Sequence, residues 1–206
     1  MSTMISILDY GLGNLASVRN ALNHLGIKNS IINKPSEVKN CGRLILPGVG
    51  AFASAMENLH SAGLTDAIIE HASVRRRPIL GICLGMQLLL DQSYEDGIHA
   101  GLGLLRGQVK PLSDVCSPLV VPHVGWNSVT PTKQTGLLNP NYPESSFYFI
   151  HNYYCKLDDV EQVVGTSSYG IEFHSMVESD NVYGCQFHPE KSQKRGLELL
   201  NNFSAI

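Results

Sequence analysis

Short, nearly unbroken apolar runs separated by stretches of helical spacing dominate the first part of the chain. Met4-Ile5-Ser6-Ile7-Leu8, Asn29-Ser30-Ile31-Ile32, Arg43-Leu44-Ile45-Leu46 and Pro78-Ile79-Leu80-Gly81-Ile82 have the length and continuity of strands covered on both faces. Between them, Leu15, Val18, Leu22 and Leu25 recur at helical spacing until Gly26 stops the run. Residues 51–61 predict a second helix. A third, with Thr65 as its N-cap ahead of Ile68 and Ile69, runs to about Arg76, and residues 84–90 predict a fourth. Strands alternating with helices through right-handed connections define an α/β fold with a twisted, mostly parallel sheet flanked by helices.

After Asp91 the pattern changes. Gly97, Gly101, Gly103 and Gly107 punctuate the chain, and helical periodicity becomes scarce. Val120-Val121 and Ser128-Val129 predict short antiparallel strands around His123-Val124-Gly125-Trp126-Asn127. Ser146-Phe147-Tyr148-Phe149-Ile150, Val163-Val164-Gly165-Thr166, Ser175-Met176-Val177 and Val182-Tyr183-Gly184-Cys185-Gln186-Phe187 predict additional strands in this second half. A closing helix over residues 193–203 places Leu197, Leu200 and Phe203 on one side. No internal repeat or linker interrupts the chain, so residues 1–206 are expected to form one domain.

The bulk properties narrow the classes open to it. At 206 residues, 43% hydrophobic and 16% charged, the chain has the make-up of a globular enzyme-sized domain. A net charge of -3 and the lack of a Lys/Arg-rich face argue against nucleic acid as the main partner. Arg75-Arg76-Arg77 reads as a solvated helix end. No apolar run approaches the ~20 residues that cross a bilayer, and the N-terminus lacks a basic segment followed by a long apolar one, so a soluble, cytoplasmic protein without membrane contact is expected. The cysteines, at 41, 83, 116, 155 and 185, are odd in number, scattered and never in a C-x-x-C pair. Neither a disulfide framework nor a zinc site is indicated, and no metal or cofactor is expected. Gly11 and Gly13 lack the third glycine and the acidic residue of a dinucleotide fingerprint.

The candidate chemistry centres on Cys83. It lies between Gly81 and Gly85 at the seam of an apolar strand and a helical run, a sharp turn that lifts the side chain above the sheet. A helix N-terminus there favours thiolate over thiol. A cysteine nucleophile needs a base, and the base needs a group that fixes its tautomer. His188 and Glu190 supply both, just past the end of an apolar strand, with Pro189 between them turning the chain. Acyl transfer also needs N–H donors for its oxyanion. Leu84 offers one, and the Pro47-Gly48-Val49-Gly50 loop a second. The histidines at 24, 60, 71, 99, 123, 151 and 174 have no carboxylate in this arrangement and read as structural.

Gly81-Ile82-Cys83-Leu84-Gly85-Met86-Gln87 together with Gln186-Phe187-His188-Pro189-Glu190 resembles the class I, triad-type glutamine amidotransferase family. Asp9-Tyr10-Gly11-Leu12-Gly13-Asn14, Leu46-Pro47-Gly48-Val49-Gly50-Ala51-Phe52, Pro122-His123-Val124-Gly125-Trp126-Asn127, Tyr148-Phe149-Ile150-His151 and Lys191-Ser192 are similar to the branch of that family formed by glutaminase subunits of imidazole glycerol phosphate synthases. The resemblance spans essentially the whole chain. It implies that Cys83 attacks the side-chain amide of L-glutamine, His188 protonates the departing ammonia, Glu190 orients His188, and water hydrolyses the thioester. It further implies that Val49 and Leu84 are the oxyanion donors and that Gly50, Gln87, Asn152 and Tyr153 hold glutamine. Asn152 departs from the Ser or Thr of the family pattern. The implied partner is a (β/α)8-barrel cyclase, in a heterodimer, that receives the ammonia and makes imidazole glycerol phosphate and aminoimidazole carboxamide ribotide. Asn14, Trp126, Tyr148 and Lys191 would lie at that interface.

Three other readings compete. A paralogous glutaminase feeding another synthase, such as one forming an amidino sugar, shares every catalytic residue and is suggested by Val124 and by Tyr169-Gly170-Ile171-Glu172-Phe173-His174-Ser175. A non-enzymatic partner-binding relative is opposed by the presence of Cys83, His188 and Glu190. A thiol peptidase on the same scaffold is disfavoured by Gln87 and the loops around it.

Overall fold

The computed structural model describes residues 4–115, 118–138 and 145–206, which leaves Cys116 outside the described residues. The first strands and helices follow in order as β1 (Ile5–Leu8), α1 (Leu15–His24), β2 (Asn29–Ile32), α2 (Pro35–Asn40), β3 (Arg43–Gly48), α3 (Phe52–Ser61), α4 (Leu64–Ile69), β4 (Ile79–Cys83) and α5 (Leu84–Leu88). Then come β5 (Leu90–Ser93), β6 (His99–Ala100), β7 (Leu105–Pro111), β8 (His123–Pro131), β9 (Ser145–His151), β10 (Tyr153–Leu157), β11 (Val163–Tyr169), β12 (Ile171–Ser179), β13 (Val182–Cys185) and α6 (Gln193–Ala205).

The sheet runs in the order β2-β1-β3-β4-β13-β12-β10-β7-β5-β6, with β11 against β12 and β8, and β8 against β9. From β2 to β13 every neighbouring pair is parallel. Beyond β13 the pairing turns antiparallel, except where β5 meets β7. The last strand of the chain therefore sits in the middle of the sheet, between β4 and β12.

Alternation along the parallel strands builds two cores. Ile5, Ile7, Ile45, Leu80 and Ile82 point to the face covered by α1 and α6, where they meet Val18, Leu22, Leu199, Leu200 and Phe203. Leu8, Leu44, Leu46 and Ile79 point to the opposite face, against Val38, Phe52, Leu59, Ile68 and Met86. Each such side chain, fully buried, contributes about 1.5–3 kcal/mol. Because both faces are covered, β1, β3 and β4 carry no polar alternation.

Several details differ from the sequence reading. Thr65 lies inside α4, whose cap position is taken by Gly63 in the left-handed conformation, and the helix closes in a π-helical turn over Glu70–Val74. The helix after Cys83 ends at Leu88 because the chain re-enters the sheet at Leu90. Val120-Val121 is not a strand. The segment from His123 is instead one continuous strand, β8, paired residue for residue with β9. The Arg75-Arg76-Arg77 run is paired rather than merely solvated: Arg75 binds Glu70, Arg76 binds Asp180, and Arg77 donates to the carbonyls of Lys39 and Cys41. No helix among the described residues is long and apolar enough to cross a membrane.

Candidate active site

The carboxyl ends of three adjacent parallel strands carry the candidate groups. β3 leads into the Pro47-Gly48-Val49-Gly50 loop, β4 ends at Cys83, and β13 leads to His188 through Gln186 and Phe187. Register brings the first two together, with Gly48 opposite Cys83. Ligands bind at this rim of open parallel sheets.

Cys83 has φ 54° and ψ -110°, a left-handed backbone that costs a non-glycine residue about 1–3 kcal/mol. Close packing of the turn holds it there. A Cβ on Gly85 would lie 1.8 Å from the Leu46 carbonyl oxygen, so α5 presses directly on β3 and only glycine fits. The sulfur lies 3.8 Å from the Ile150 carbonyl oxygen and 3.7 Å from Nε2 of Gln186.

His188 and Glu190 form a buried pair, Nδ1 to Oε1 2.8 Å, with side chains 2% and 1% exposed. The acceptor carboxylate fixes a proton on Nδ1 and leaves Nε2 on the far edge of the ring. Nε2 is buried without a hydrogen-bond partner. Burial alone would discharge the imidazole, but the Cys83 sulfur and the Glu190 carboxylate outweigh it and raise its pKa to about 10. At neutral pH the ring is a cation beside the Cys83 sulfur. The loop is fastened from below: His188 N–H donates to the Tyr148 carbonyl, while Ser192 Oγ donates to the His188 carbonyl and accepts from Tyr148 N–H.

Cys83 and His188 line one cleft of about 390 Å³, and Val49, Gly50, Leu84, Gln87, Asn152 and Tyr153 line it with them. Gln87 is buried, and its Nε2 donates to the Tyr153 carbonyl at 3.1 Å and to Gln186 Oε1 at 3.2 Å. Gly50 has φ 100°, a conformation that favours glycine. Asn14 does not line the cleft; its side chain caps α1, accepting from Ser17 N–H at 3.4 Å. Trp126 is 49% exposed and meets the Tyr148 ring edge-on at 6.2 Å, with Lys191 Nζ 5.8 Å from the centre of that ring. These three make one amphipathic patch beside the His188 loop.

The cleft also holds Glu95, which the sequence does not single out, and His151, which reads from sequence as structural. Glu95 lines it, with Oε2 accepting from Phe52 N–H at 2.7 Å, and burial raises its pKa. His151 lines it too, and it is not an isolated histidine. Its Nδ1 faces the Tyr153 carbonyl at 2.8 Å, so that nitrogen carries the proton and Nε2 accepts from His123 Nδ1 at 2.9 Å. His123 Nε2 in turn accepts from Asn127 Nδ2 at 3.2 Å. Burial lowers the two rings to about 4 for His123 and about 3 for His151, so both are neutral props. Position in the same motifs as Trp126 and Tyr148 was the available signal for this pair. Among the described residues no cluster of three or more His, Cys, Asp or Glu side chains is placed to hold a metal, and Cys41, Cys83, Cys155 and Cys185 are free.

A strained cysteine elbow and a buried His–Glu pair thus share one rim of a mixed sheet flanked by helices. Residues 6–205 match the family described as glutamine amidotransferase class-I, and the chain belongs to that family. The chain is 48% identical over 202 residues to imidazole glycerol phosphate synthase subunit HisH of Moorella thermoacetica, covering 98% of this chain and 94% of that one. It is 47% identical to the HisH subunit of Sulfurimonas denitrificans, covering 98% and 97%. The PurLQS structure from Thermotoga maritima shares the fold, with a TM-score of 0.75 at 21% identity over 98% of each chain.

Proposed function

We propose that this chain is the glutaminase subunit of an imidazole glycerol phosphate synthase, acting as one domain in the cytoplasm. The observation that carries the reading is that Cys83 and His188, the latter backed by Glu190, line one cleft together with Val49, Gly50, Leu84, Gln87, Asn152 and Tyr153.

In the proposed reaction the Cys83 thiolate adds to the side-chain carboxamide carbon of glutamine, and the resulting oxyanion takes hydrogen bonds from the N–H groups of Leu84 and Val49. The C–N bond breaks as the His188 cation gives its Nε2 proton to the leaving nitrogen, releasing ammonia. His188, now neutral, takes a proton from water as that water attacks the thioester. Glutamate departs and the sulfur leaves as thiolate, which restores the starting state. Gln87, Gly50, Asn152 and Tyr153 hold the amino-acid end. Glu95, a carboxylate at the same wall, suits the α-ammonium.

Ammonia released into water becomes mostly ammonium at neutral pH and loses its nucleophilicity, so it must pass directly to an acceptor subunit. The (β/α)8-barrel cyclase fills that role in this reading, docking over Trp126, Tyr148 and Lys191, with Asn14 nearby. The rival acceptor, a synthase forming an amidino sugar, shares the glutaminase half.

Cys83→Ala should abolish glutamine hydrolysis while circular dichroism and partner capture stay unchanged; ammonia release at the parent rate would overturn the assignment. Rescue of a histidine auxotroph lacking its own glutaminase subunit separates the cyclase partner from the rival acceptor.

A further inference from the structure

The mechanism above does not use Gln186, yet this side chain is 0% exposed and its amide lies against the nucleophile. The orientation of that amide can be deduced. The Tyr153 carbonyl can only accept, so the Gln87 atom facing it is the NH2 group. That same NH2 group meets the Gln186 amide, which must therefore present its oxygen, Oε1, at 3.2 Å. The other end of the Gln186 amide is then the donor, and it points at Cys83 Sγ from 3.7 Å. Cys155 Sγ, 4.0 Å from Oε1, adds a second donor on the correct side.

The sulfur thus stands between contacts of opposite polarity. The Ile150 carbonyl oxygen, at 3.8 Å, accepts from a thiol and repels a thiolate. The Gln186 donor is compatible with either form and is stronger with the charged one. We propose that the Gln186 side-chain amide is part of the nucleophile's machinery: it donates to the Cys83 thiolate, and Gln87 fixes its orientation by occupying its oxygen. The proposal rests on the reading of Cys83 as nucleophile. It links a residue expected to hold glutamine to the sulfur that attacks it, through one shared amide.

The other titratable groups around the sulfur do not compete for this role. His188 supplies the positive charge, with Glu190 behind it. Tyr10, Cys155 and Cys185 all feel the Cys83 charge, but burial pushes each of them up, so they stay neutral. The Gln186 backbone N–H donates to the Ser175 carbonyl at 2.9 Å, which fixes the main chain from which the side chain reaches the elbow.

The test is alkylation of the isolated chain by iodoacetamide as a function of pH, with Cys83→Ala as the background for the remaining cysteines. Gln186→Met keeps the length and removes the donor. Its Cys83-specific alkylation profile should move to higher pH than the parent's, with a rate about tenfold lower on the acid limb. The unchanged parent profile in Gln186→Met would overturn the proposal. A measurement on the unmutated sequence guards against a variant that misfolds. With 15N-glutamine labelling, the Gln186 side-chain amide resonance should move with the same midpoint as alkylation and lose that step in Cys83→Ser; an amide indifferent to the sulfur would also overturn it. If Cys83→Ala still hydrolyses glutamine, the nucleophile reading itself falls. If Cys83→Ala is inactive while Gln186→Met alkylates like the parent, only the role of Gln186 falls.

Discussion

His188 is held cationic by Cys83 and Glu190 against a burial that works the other way. Glu190→Gln keeps much of the shape and removes one of the two supports. It also offers an NH2 group to Nδ1 and so favours the wrong tautomer. The alkaline limb of kcat/KM, set in the parent by loss of the imidazolium proton toward pH 10, should shift to lower pH. The rate at neutral pH should drop by about 10²–10⁴-fold. A rate profile from about pH 6 to about pH 10 checks both. Cys83, His188 and Glu190 were legible in the sequence because the chemistry demands those residue types, and two of them share one short motif. Gln186, Glu95 and the His123–His151 pair were not. What distinguishes them is contact across strands, such as the meeting of Gln87 with Gln186, which no local spacing encodes.

The β4–α5 turn shows how an element enforces the geometry of a residue. Gly85 faces backbone, not a side chain that can swing aside, since the neighbour 1.8 Å from a Cβ would be the Leu46 carbonyl. Gly85→Ala must therefore separate α5 from β3. It should cost about 2–3 kcal/mol in urea unfolding and release Cys83 from its left-handed backbone, so glutaminase activity should fall further than stability alone explains. Elements of this kind were readable where burial is one-patterned. β1, β3 and β4 are covered on both faces and appear as plain apolar runs. β10 buries Tyr154 and Cys155 side by side and α2 buries only Val38, so neither carries a strong periodic signal; β7 does alternate, but Gly107 stands at one of its inward positions and leaves only Leu105 and Val109 as apolar side chains there. Of β8 only Ser128-Val129 reads as strand, because Gly125 and Asn127 are poor strand formers, whereas its pairing with β9 is continuous from His123 to Val129.

Across the described residues, buried His71, His123 and His151 and the half-buried His174 set the response to acid. His71, His123, His151 and His174 all have pKa values lowered chiefly by burial, so the native state keeps them neutral while the unfolded chain takes up protons below about pH 6.5. Their contribution is fully present above that value and is lost as the pH falls through it. His188 has the opposite sign: its raised pKa stabilises below about pH 6.5 and that support fades as the pH climbs toward 10. Between about pH 7 and about pH 5 His123 and His151, whose values fall furthest, outweigh the one, each adding up to about 1.4 kcal/mol of loss per pH unit, and His71 and His174 act in the same direction. Urea midpoints should fall steadily across that interval, and a flat profile would show that these rings are not held neutral. The chain also threads its sheet in an order with consequences for synthesis. Because β13 is made last yet lies between β4 and β12, a nascent or truncated polypeptide ending before Val182 presents two raw strand borders, one of them the bare flank of β4. Such a fragment carries the cysteine without its acid partner and is sticky where the finished protein is sealed.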